Sequence, residues 1–326
     1  MINFSYTPSS PMSAKHENHR TNYGIFGSCN SSGGHTTDLG LPVISTFTFV
    51  VCIFGLVGNG AVVWLLGFCM KRTPFSIYIL NLAVADFGVL ISSIPRAGFH
   101  IVRKHLDDIM PKLHFVSLGP FYFTYSMSQF LLTAISIDRC VSVLFPLWYR
   151  YRRPKSLSTA LCLLMWLLYF LVQGICLTIE IIWELKTPLF YAFLVNSLVC
   201  LPLITVSTLI LFVKFCFKSQ QHQRGKLLTA VLLTLFFFLI FAFPLNVIYL
   251  IRFSPWSSPE VRSNVRCYNV TEYGLLCASL NSFANPLLYF LVGRKKKGLC
   301  RENLKLILQR VFIEEETSNE EPGTQS

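Results

Sequence analysis

The sequence is poor in charge: Asp, Glu, Lys and Arg make up only 13% of its 326 residues, against roughly 25% in soluble globular proteins. Hydrophobic residues reach 53%, and the mean hydropathy is +0.53. The 29 phenylalanines are spread along the chain, which excludes a disordered or acidic solvating protein. No water-soluble fold has enough interior for this much apolar surface. We therefore expect a protein whose solvent is lipid.

Charge is scarcest in seven stretches, each long enough to cross a bilayer as a helix of about 20 residues. Only the second contains an acid, Asp86, and the third contains a histidine, His114. The stretches are 41–68, 74–95, 113–137, 156–179, 187–213, 227–251 and 273–292. The sequence thus predicts an all-α protein, with a bundle of seven transmembrane helices over residues 41–292.

Most of the 28 lysines and arginines fall in segments on one side of this bundle. The positive-inside rule then places residues 1–40 outside the cell and the C-terminus in the cytoplasm. The net charge of +12 reflects this topology and attraction to anionic membrane lipids, so we expect no nucleic-acid partner. Residues 1–40 lack the apolar segment of a cleavable signal peptide. Three N-glycosylation sequons lie on the predicted outside, at Asn3, Asn30 and Asn269.

Beyond the last span, apolar residues recur at helical spacing, at Leu304, Ile307, Leu308 and Val311. We predict a short amphipathic helix on the inner leaflet within residues 293–312, with Cys300 as a candidate palmitoylation site. Residues 313–326 are acidic and contain serine and threonine. They are predicted to form a disordered cytoplasmic tail that recruits arrestin after phosphorylation.

Inside the spans, polar residues and prolines are few, and each span carries one recognisable fragment. In chain order these are Gly58-Asn59, Asn81 with Asp86, Asp138-Arg139-Cys140, Trp166, Leu201-Pro202, Phe238 with Ala242 and Pro244, and Asn281 with Asn285-Pro286-Leu287-Leu288-Tyr289. Polar groups in lipid are costly unless they are paired or functional. Each fragment alone is weak evidence for any class of protein. All of them in this order, one per span, form a very specific pattern.

In this order the fragments resemble those of class A (rhodopsin-like) G-protein-coupled receptors, over residues 41–312. Three segments are similar to the Mas-related receptors: Pro-Phe-Ser-Ile-Tyr-Ile-Leu-Asn-Leu-Ala at 74–83, Ile-Asp-Arg-Cys-Val-Ser-Val-Leu-Phe-Pro at 137–146 and Trp-Tyr-Arg-Tyr-Arg-Arg-Pro-Lys at 148–155. The resemblance implies a plasma-membrane receptor that is not an enzyme. It also implies an extracellular peptide or small charged ligand, and heterotrimeric G proteins activated by outward movement of the sixth helix.

The resemblance also assigns roles to individual residues. For G-protein coupling and activation these are Asp138, Arg139, Phe238, Pro244, Asn285, Pro286 and Tyr289. Arg139 would be held by Asp138 until it is released towards a Gα subunit; the alternative is an arginine that merely extends into the headgroups. A sodium pocket would comprise Asp86, Ser128, Asn281 and Asn285. The alternative is a protonated, hydrogen-bonded Asp86 without an ion, and the sequence does not distinguish the two.

The chain departs from the usual receptor pattern at several positions. The substitutions are Ala242 for a tryptophan, Ile210 for a tyrosine, Gln129 for an apolar residue, Arg224 for an acid and His114 for a cysteine. Ala242 leaves space that either a ligand or Tyr125 could occupy. Because Arg224 would repel Arg139, we predict a weakly held inactive state with appreciable basal signalling.

Without a cysteine at His114, the usual extracellular bridge cannot form. Cys29 and Cys267 are the two cysteines clearly on the predicted outside, which is an oxidising compartment. We predict a disulfide between them, with two free thiols as the alternative.

Candidate ligand-pocket residues are Arg96, Phe121, Tyr125, Glu180, Ala242 and Arg252. Phe121 stands where amine receptors have an aspartate, and Ser279 where opsins have a lysine, which disfavours amines and retinal. Arg96 and Arg252 suit a carboxylate such as a peptide C-terminus, unless they extend into the headgroups. A seven-helix transporter or channel is the alternative function, but the sequence shows neither paired repeats nor a charge-lined path.

Overall fold

The computed structural model describes residues 37–70, 72–102, 110–154, 156–183, 187–217, 225–254, 258 and 270–293. Within these ranges the backbone is helical almost throughout, and no strand occurs in them. The helices are α1 (Thr37–Trp64), α2 (Pro74–Val102), α3 (Met110–Leu144), α4 (Pro146–Tyr151), α5 (Leu157–Trp183), α6 (Thr187–Phe217), α7 (Gly225–Phe253) and α8 (Val270–Gly293). A π-helical turn, Leu65–Cys69, continues α1.

Seven of these helices, all except the short α4, are long and apolar enough to cross a membrane. The prediction of an all-α, seven-span protein is therefore confirmed. The largest difference from the predicted spans is in α3, which continues past Ile137 to Leu144. Its 35 residues extend about 52 Å at 1.5 Å per residue. The hydrocarbon layer is only about 30 Å thick, so α3 is longer than the layer.

Several predictions fall outside the described residues and stay predictions. They concern the segment 1–36, the amphipathic helix within 293–312 and the tail 313–326, together with Asn3, Cys29, Asn30, Arg224, Cys267, Asn269 and Cys300. Arrestin recruitment and lipid contacts belong with them. The side chains of His114, Glu180 and Arg252 also lie outside the described part, although their backbones are in helices.

Proline interrupts the hydrogen bonding of most membrane helices, at Pro42, Pro95, Pro120, Pro202, Pro244 and Pro286. A proline has no N–H, so a carbonyl one turn earlier loses its helical donor. Such helices are tolerated in membranes where other groups satisfy the freed carbonyl. Serine and threonine hydroxyls also bond within their own helices. For example, Thr205 Oγ1 donates to the Leu201 carbonyl at 2.7 Å and Thr208 Oγ1 to the Ile204 carbonyl at 2.6 Å.

Glycine allows α2 and α3 to approach closely. A Cβ atom on Gly88 would lie only 2.5 Å from Thr124 Cγ2 and 3.0 Å from Thr124 Cβ. Small residues are typical of such contacts between membrane helices, because they let the backbones come together. On α1, Gly58 plays the same part against Pro286, whose Cγ would be 3.0 Å from an added Cβ.

The buried side chains form two clusters along the bundle. The larger cluster runs from the middle of the bundle to the end that carries Arg139, here called the Arg139 end. The smaller lies towards the opposite, Arg96 end and is mainly aromatic, with Phe121, Tyr122, Tyr125 and Tyr249. By contrast, α5 exposes a row of leucines, which are Leu163, Leu164, Leu167, Leu168 and Leu171. In a bilayer this row faces lipid.

Candidate functional site

Asp86 lies in the middle of α2, fully buried, with hydrogen-bond donors from two other helices. Its Oδ1 accepts from Ser128 Oγ on α3 at 2.8 Å and from Ser282 Oγ on α8 at 3.0 Å. Its Oδ2 accepts from Asn285 Nδ2 at 2.6 Å. Three predicted residues of the pocket are thus in direct contact. Ser282 was missed, although its i, i+3 spacing from Asn285 places the two side chains on one helix face.

The fourth predicted residue of this pocket, Asn281, is also buried. Its Oδ1 and the Oδ1 of Asn285 have no hydrogen-bond partner. Unpartnered buried oxygens are the kind of groups that hard cations bind, and Asn285 carries one while its amide nitrogen bonds Asp86. The residues present therefore fit a sodium ion. In the part of the chain described, no three His, Cys, Asp or Glu side chains group together, so no softer metal centre is indicated there.

Pro286 explains a neighbouring contact between α1 and α8. Because proline lacks an N–H, the carbonyl of Ser282 has no donor within its own helix. Asn59 Nδ2 of α1 donates to that carbonyl at 3.0 Å, and also to the Gly55 carbonyl at 3.0 Å. Tyr289 follows one turn later and is buried. The carbonyl that Pro286 leaves without a helical donor is thus held by the first helix.

At the Arg139 end of the bundle, the Arg139 side chain itself is buried among protein groups. Only 4% of its side chain is exposed, so it does not extend into the headgroups. One guanidinium nitrogen, Nη2, donates to Asp138 Oδ2 at 2.7 Å and to the Tyr149 hydroxyl at 2.9 Å. The guanidinium carbon also lies 4.2 Å from the centroid of the Phe75 ring, a cation–π distance.

Asp138 binds a second cation, which the sequence analysis did not assign to the site. Arg153 Nη2 donates to Asp138 Oδ1 at 2.6 Å and to Ser158 Oγ at 2.7 Å. The Tyr149 hydroxyl donates to Asp138 Oδ2 at 2.9 Å. Arg153 also lies 4.6 Å from the centroid of the Tyr149 ring. One carboxylate thus serves two guanidinium groups, one on each oxygen.

Between the two ends, Tyr125 fills the space next to Ala242. The Tyr125 ring is buried, and its hydroxyl lies 3.5 Å from the Ala242 carbonyl. Phe121 stacks on Tyr125, with ring centroids 5.9 Å apart and planes 4° from parallel. Of the two occupants that the sequence allowed beside Ala242, the structure has the tyrosine. Phe238 is buried one turn before, on the same helix.

A bond between two side-chain amides joins α3 to α7 in the core. Gln129 Nε2 donates to Asn246 Oδ1 at 3.2 Å, and each residue is only 1% exposed. Gln129 Oε1 and Asn246 Nδ2 are left without hydrogen-bond partners. Gln129 stands out in the sequence because it replaces an apolar residue, whereas Asn246 was not identified from the sequence. The one available signal was an asparagine two residues after a span proline.

At the Arg96 end, a buried ion pair joins α2 to α8. Arg96 Nε and Nη2 lie 2.8 Å and 2.6 Å from Glu272 Oε1. Glu272 is in the first turn of α8, where the helix dipole favours an anion. Tyr249 packs close by against Tyr122, with rings 5.2 Å apart and nearly perpendicular. Arg96 was predicted to be a cation available to a ligand, whereas in the structure it has an acid as partner.

Trp166 attaches α5 to the rest of the bundle. Its indole Nε1 donates to Asn81 Oδ1 of α2 at 3.0 Å, and Asn81 Nδ2 donates to the Ile77 carbonyl at 2.8 Å. On the other side of α3, Cys140 Sγ donates to the Ser207 carbonyl of α6 at 3.2 Å. The cysteine that replaces the usual tyrosine after Arg139 therefore contacts the fifth span.

Comparison with known proteins agrees with this arrangement. Residues 58–289 match the family model of the 7 transmembrane receptor (rhodopsin family). Mas-related G-protein coupled receptor member D of Macaca fascicularis is 36% identical over 294 residues, which cover 88% of this chain and 90% of that protein. Proto-oncogene Mas of Rattus norvegicus is 34% identical over 301 residues and 87% of each chain. Mas-related G-protein coupled receptor member H of the same species is 38% identical over 279 residues, 82% of this chain and 83% of the relative.

Proteins of this family are receptors and not enzymes, and they couple an extracellular ligand to a G protein. The order of the span fragments, the seven apolar helices and the buried Asp86 and Arg139 clusters all fit that role. The chain therefore belongs to the rhodopsin family of seven-transmembrane receptors, as a Mas-related G-protein-coupled receptor of the plasma membrane.

Proposed function

We propose that the receptor binds its ligand at the Arg96 end, outside the cell, and activates a heterotrimeric G protein at the Arg139 end. The observation that carries the proposal is the burial of Arg139 among Asp138, Tyr149 and Phe75. A buried cation held by breakable contacts is a group that a partner protein can reach only after the bundle opens. The excess of lysine and arginine supports a cytoplasmic location for this end.

In this proposal the sixth span, α7, moves outward, as the resemblance to class A receptors implies. Pro244 removes one backbone hydrogen bond within α7 and so weakens the helix at that point. Phe238, which precedes Pro244 by six residues on the same helix, is buried in the core. A displacement of α7 must therefore repack the Phe238 ring. In this proposal the freed guanidinium of Arg139 meets the C-terminal helix of Gα.

Nucleotide exchange on purified Gα subunits, measured in membranes that contain the receptor, tests this function. We expect Arg139→Ala to abolish receptor-dependent exchange. The matched control is Arg150→Ala, which removes the same charge from an exposed position on α4. Exchange that persists unchanged in Arg139→Ala would contradict the proposal. Ion flux in place of exchange would favour the seven-helix channel or transporter.

For the ligand, the Arg96–Glu272 pair supports an anionic group on a peptide or small molecule. A ligand carboxylate would take the place of Glu272 on Arg96, and the displaced Glu272 would remain in the first turn of α8, where the helix dipole favours an anion. We expect peptides with a free C-terminus to activate the receptor, and the same peptides with an amidated C-terminus to fail. Arg96→Ala should remove this preference, and Glu272→Gln should strengthen binding of the carboxylate. Equal responses to both peptide forms would refute this ligand class.

We also propose that Asp86, Ser128, Asn281 and Asn285 hold a sodium ion, with Ser282 as a further oxygen donor. The ion would supply positive charge that stabilises the buried carboxylate. The thermal stability of the purified receptor should then be higher in sodium chloride than in choline chloride at equal ionic strength. Asp86→Asn should abolish this difference. A wild-type receptor that melts at one temperature in both salts would favour the ion-free alternative.

A further inference from the structure

We infer that Arg153 is a positioning residue for G-protein coupling, which takes over Asp138 when Arg139 leaves it. The inference rests on the proposed function. Asp138 presents its Oδ2 to Arg139 and Tyr149, and its Oδ1 to Arg153 at 2.6 Å. The two arginines thus share one carboxylate without competing for the same oxygen.

Burial makes this second cation consequential. Only 5% of the Arg153 side chain and 8% of the Asp138 side chain are exposed. Breaking a buried ion pair is costly chiefly because it leaves one charge without a partner. When Arg139 departs towards Gα, Asp138 retains Arg153 and the Tyr149 hydroxyl. The opened receptor therefore contains no isolated buried carboxylate at this site.

Arg153 also acts on the closed state. With two guanidinium groups on one carboxylate, this cluster carries more positive than negative charge, and the like charges favour the departure of one of them. Arg153 cannot readily be the one that leaves, because Ser158 and the ring of Tyr149 hold it as well. In the proposed function Arg139 is the partner that leaves, and Arg153 is the one that stays on Asp138.

The contacts on each arginine fit this division of roles. Arg153 follows α4 and precedes α5, and its second hydrogen bond goes to Ser158 in the first turn of α5. Besides Asp138, Arg139 bonds the Tyr149 hydroxyl and lies against the Phe75 ring, and in the proposed function it gives up these contacts when Gα binds. Arg153 thus sets how firmly Asp138 holds Arg139, and with it the level of agonist-independent signalling.

The experiment measures agonist-independent nucleotide exchange on a panel of Gα subunits, at matched surface density of each variant. We expect Arg153→Gln to lower exchange by about five- to tenfold, because Asp138 then holds Arg139 more firmly. A tenfold change corresponds to about 1.4 kcal/mol. Arg153→Lys keeps the charge and should restore most of the exchange. The matched control is Arg152→Gln, one residue earlier and exposed, which should change exchange by less than about twofold on the same free-energy scale.

A double variant separates this role from a merely structural one. If Arg153 acts through Asp138, then Arg153→Gln should have little further effect in receptors that already carry Asp138→Asn, in which exchange is raised. A destabilised receptor would instead lose exchange in both backgrounds. Unchanged exchange in Arg153→Gln, equal losses in both backgrounds, or no rescue by Arg153→Lys would each overturn the inference.

The same assay tells its failure apart from failure of the proposed function. If Arg139→Ala abolishes exchange while Arg153→Gln does not lower it, only the inference is wrong. A second case is a wild-type receptor that gives no more exchange than receptor-free membranes, while Asp138→Asn is active. Arg153 then does not weaken the hold of Asp138 on Arg139, and again only the inference is wrong. If both are silent, the proposed coupling at the Arg139 end fails as well.

Discussion

The Gln129–Asn246 bond gives a prediction whose sign runs against the usual effect of removing a hydrogen bond. Replacing Gln129 by leucine leaves both polar atoms of Asn246 without partners, and replacing Asn246 by alanine does the same to Gln129. Each single variant therefore keeps two unpartnered buried atoms and loses one bond, a cost of about 1 kcal/mol. The double variant loses the bond but also removes both unpartnered atoms, each of which costs about 1 kcal/mol or more.

We therefore expect the double variant to be more stable than the wild type by about 1 kcal/mol, although each single variant is less stable by about the same amount. The non-additivity is about 3 kcal/mol, typical of residues in direct contact. Melting temperatures of the four purified, ligand-free proteins, measured in one detergent and at one scan rate, provide the test. A double variant that melts at or below the wild type would refute the reasoning.

Two further predictions concern contacts between α2 and its neighbours. Gly88→Ala should destabilise the receptor by about 1–3 kcal/mol through overpacking against Thr124. Gly98→Ala, on the same helix with open space around it, should be neutral or slightly stabilising; similar melting temperatures of the two variants would refute this contrast. Trp166→Phe should lower stability by about 1 kcal/mol because Asn81 loses its indole donor, and this loss should disappear in a receptor that also carries Asn81→Leu.

Much of this fold could be predicted because lipid imposes a simple rule on the sequence. A membrane helix must be about 20 apolar residues long, so composition alone located seven spans. The end of α3 was predicted too early for the same reason. The rule describes only the lipid-covered part of a helix. Asp138 and Arg139 lie in a continuation of α3 that is in contact with protein. Charge in that segment was taken as the end of the helix.

The site was predictable only where a motif places residues on one helix or where the class resemblance aligns them. Asp86 and Asn285 were paired in advance because their positions match the receptor class. Arg153 was recognised only as part of a segment that resembles the Mas-related receptors. Its contact with Asp138 depends on how α4 folds back between two spans, and no periodicity in the sequence encodes that turn. Glu272 was likewise not identified, because nothing in the sequence shows that it pairs with Arg96 of another helix.

The hydroxyls that bond within their own helices change what the outside of the bundle presents to its surroundings. Thr205 and Thr208 each direct their only hydroxyl hydrogen to a carbonyl of the preceding turn. What remains outward is a methyl group, so a lipid chain or a second membrane protein meets these positions much as it would meet valine. The number of polar residues in the sequence of α6 therefore overstates its capacity to recruit a partner through polar contacts.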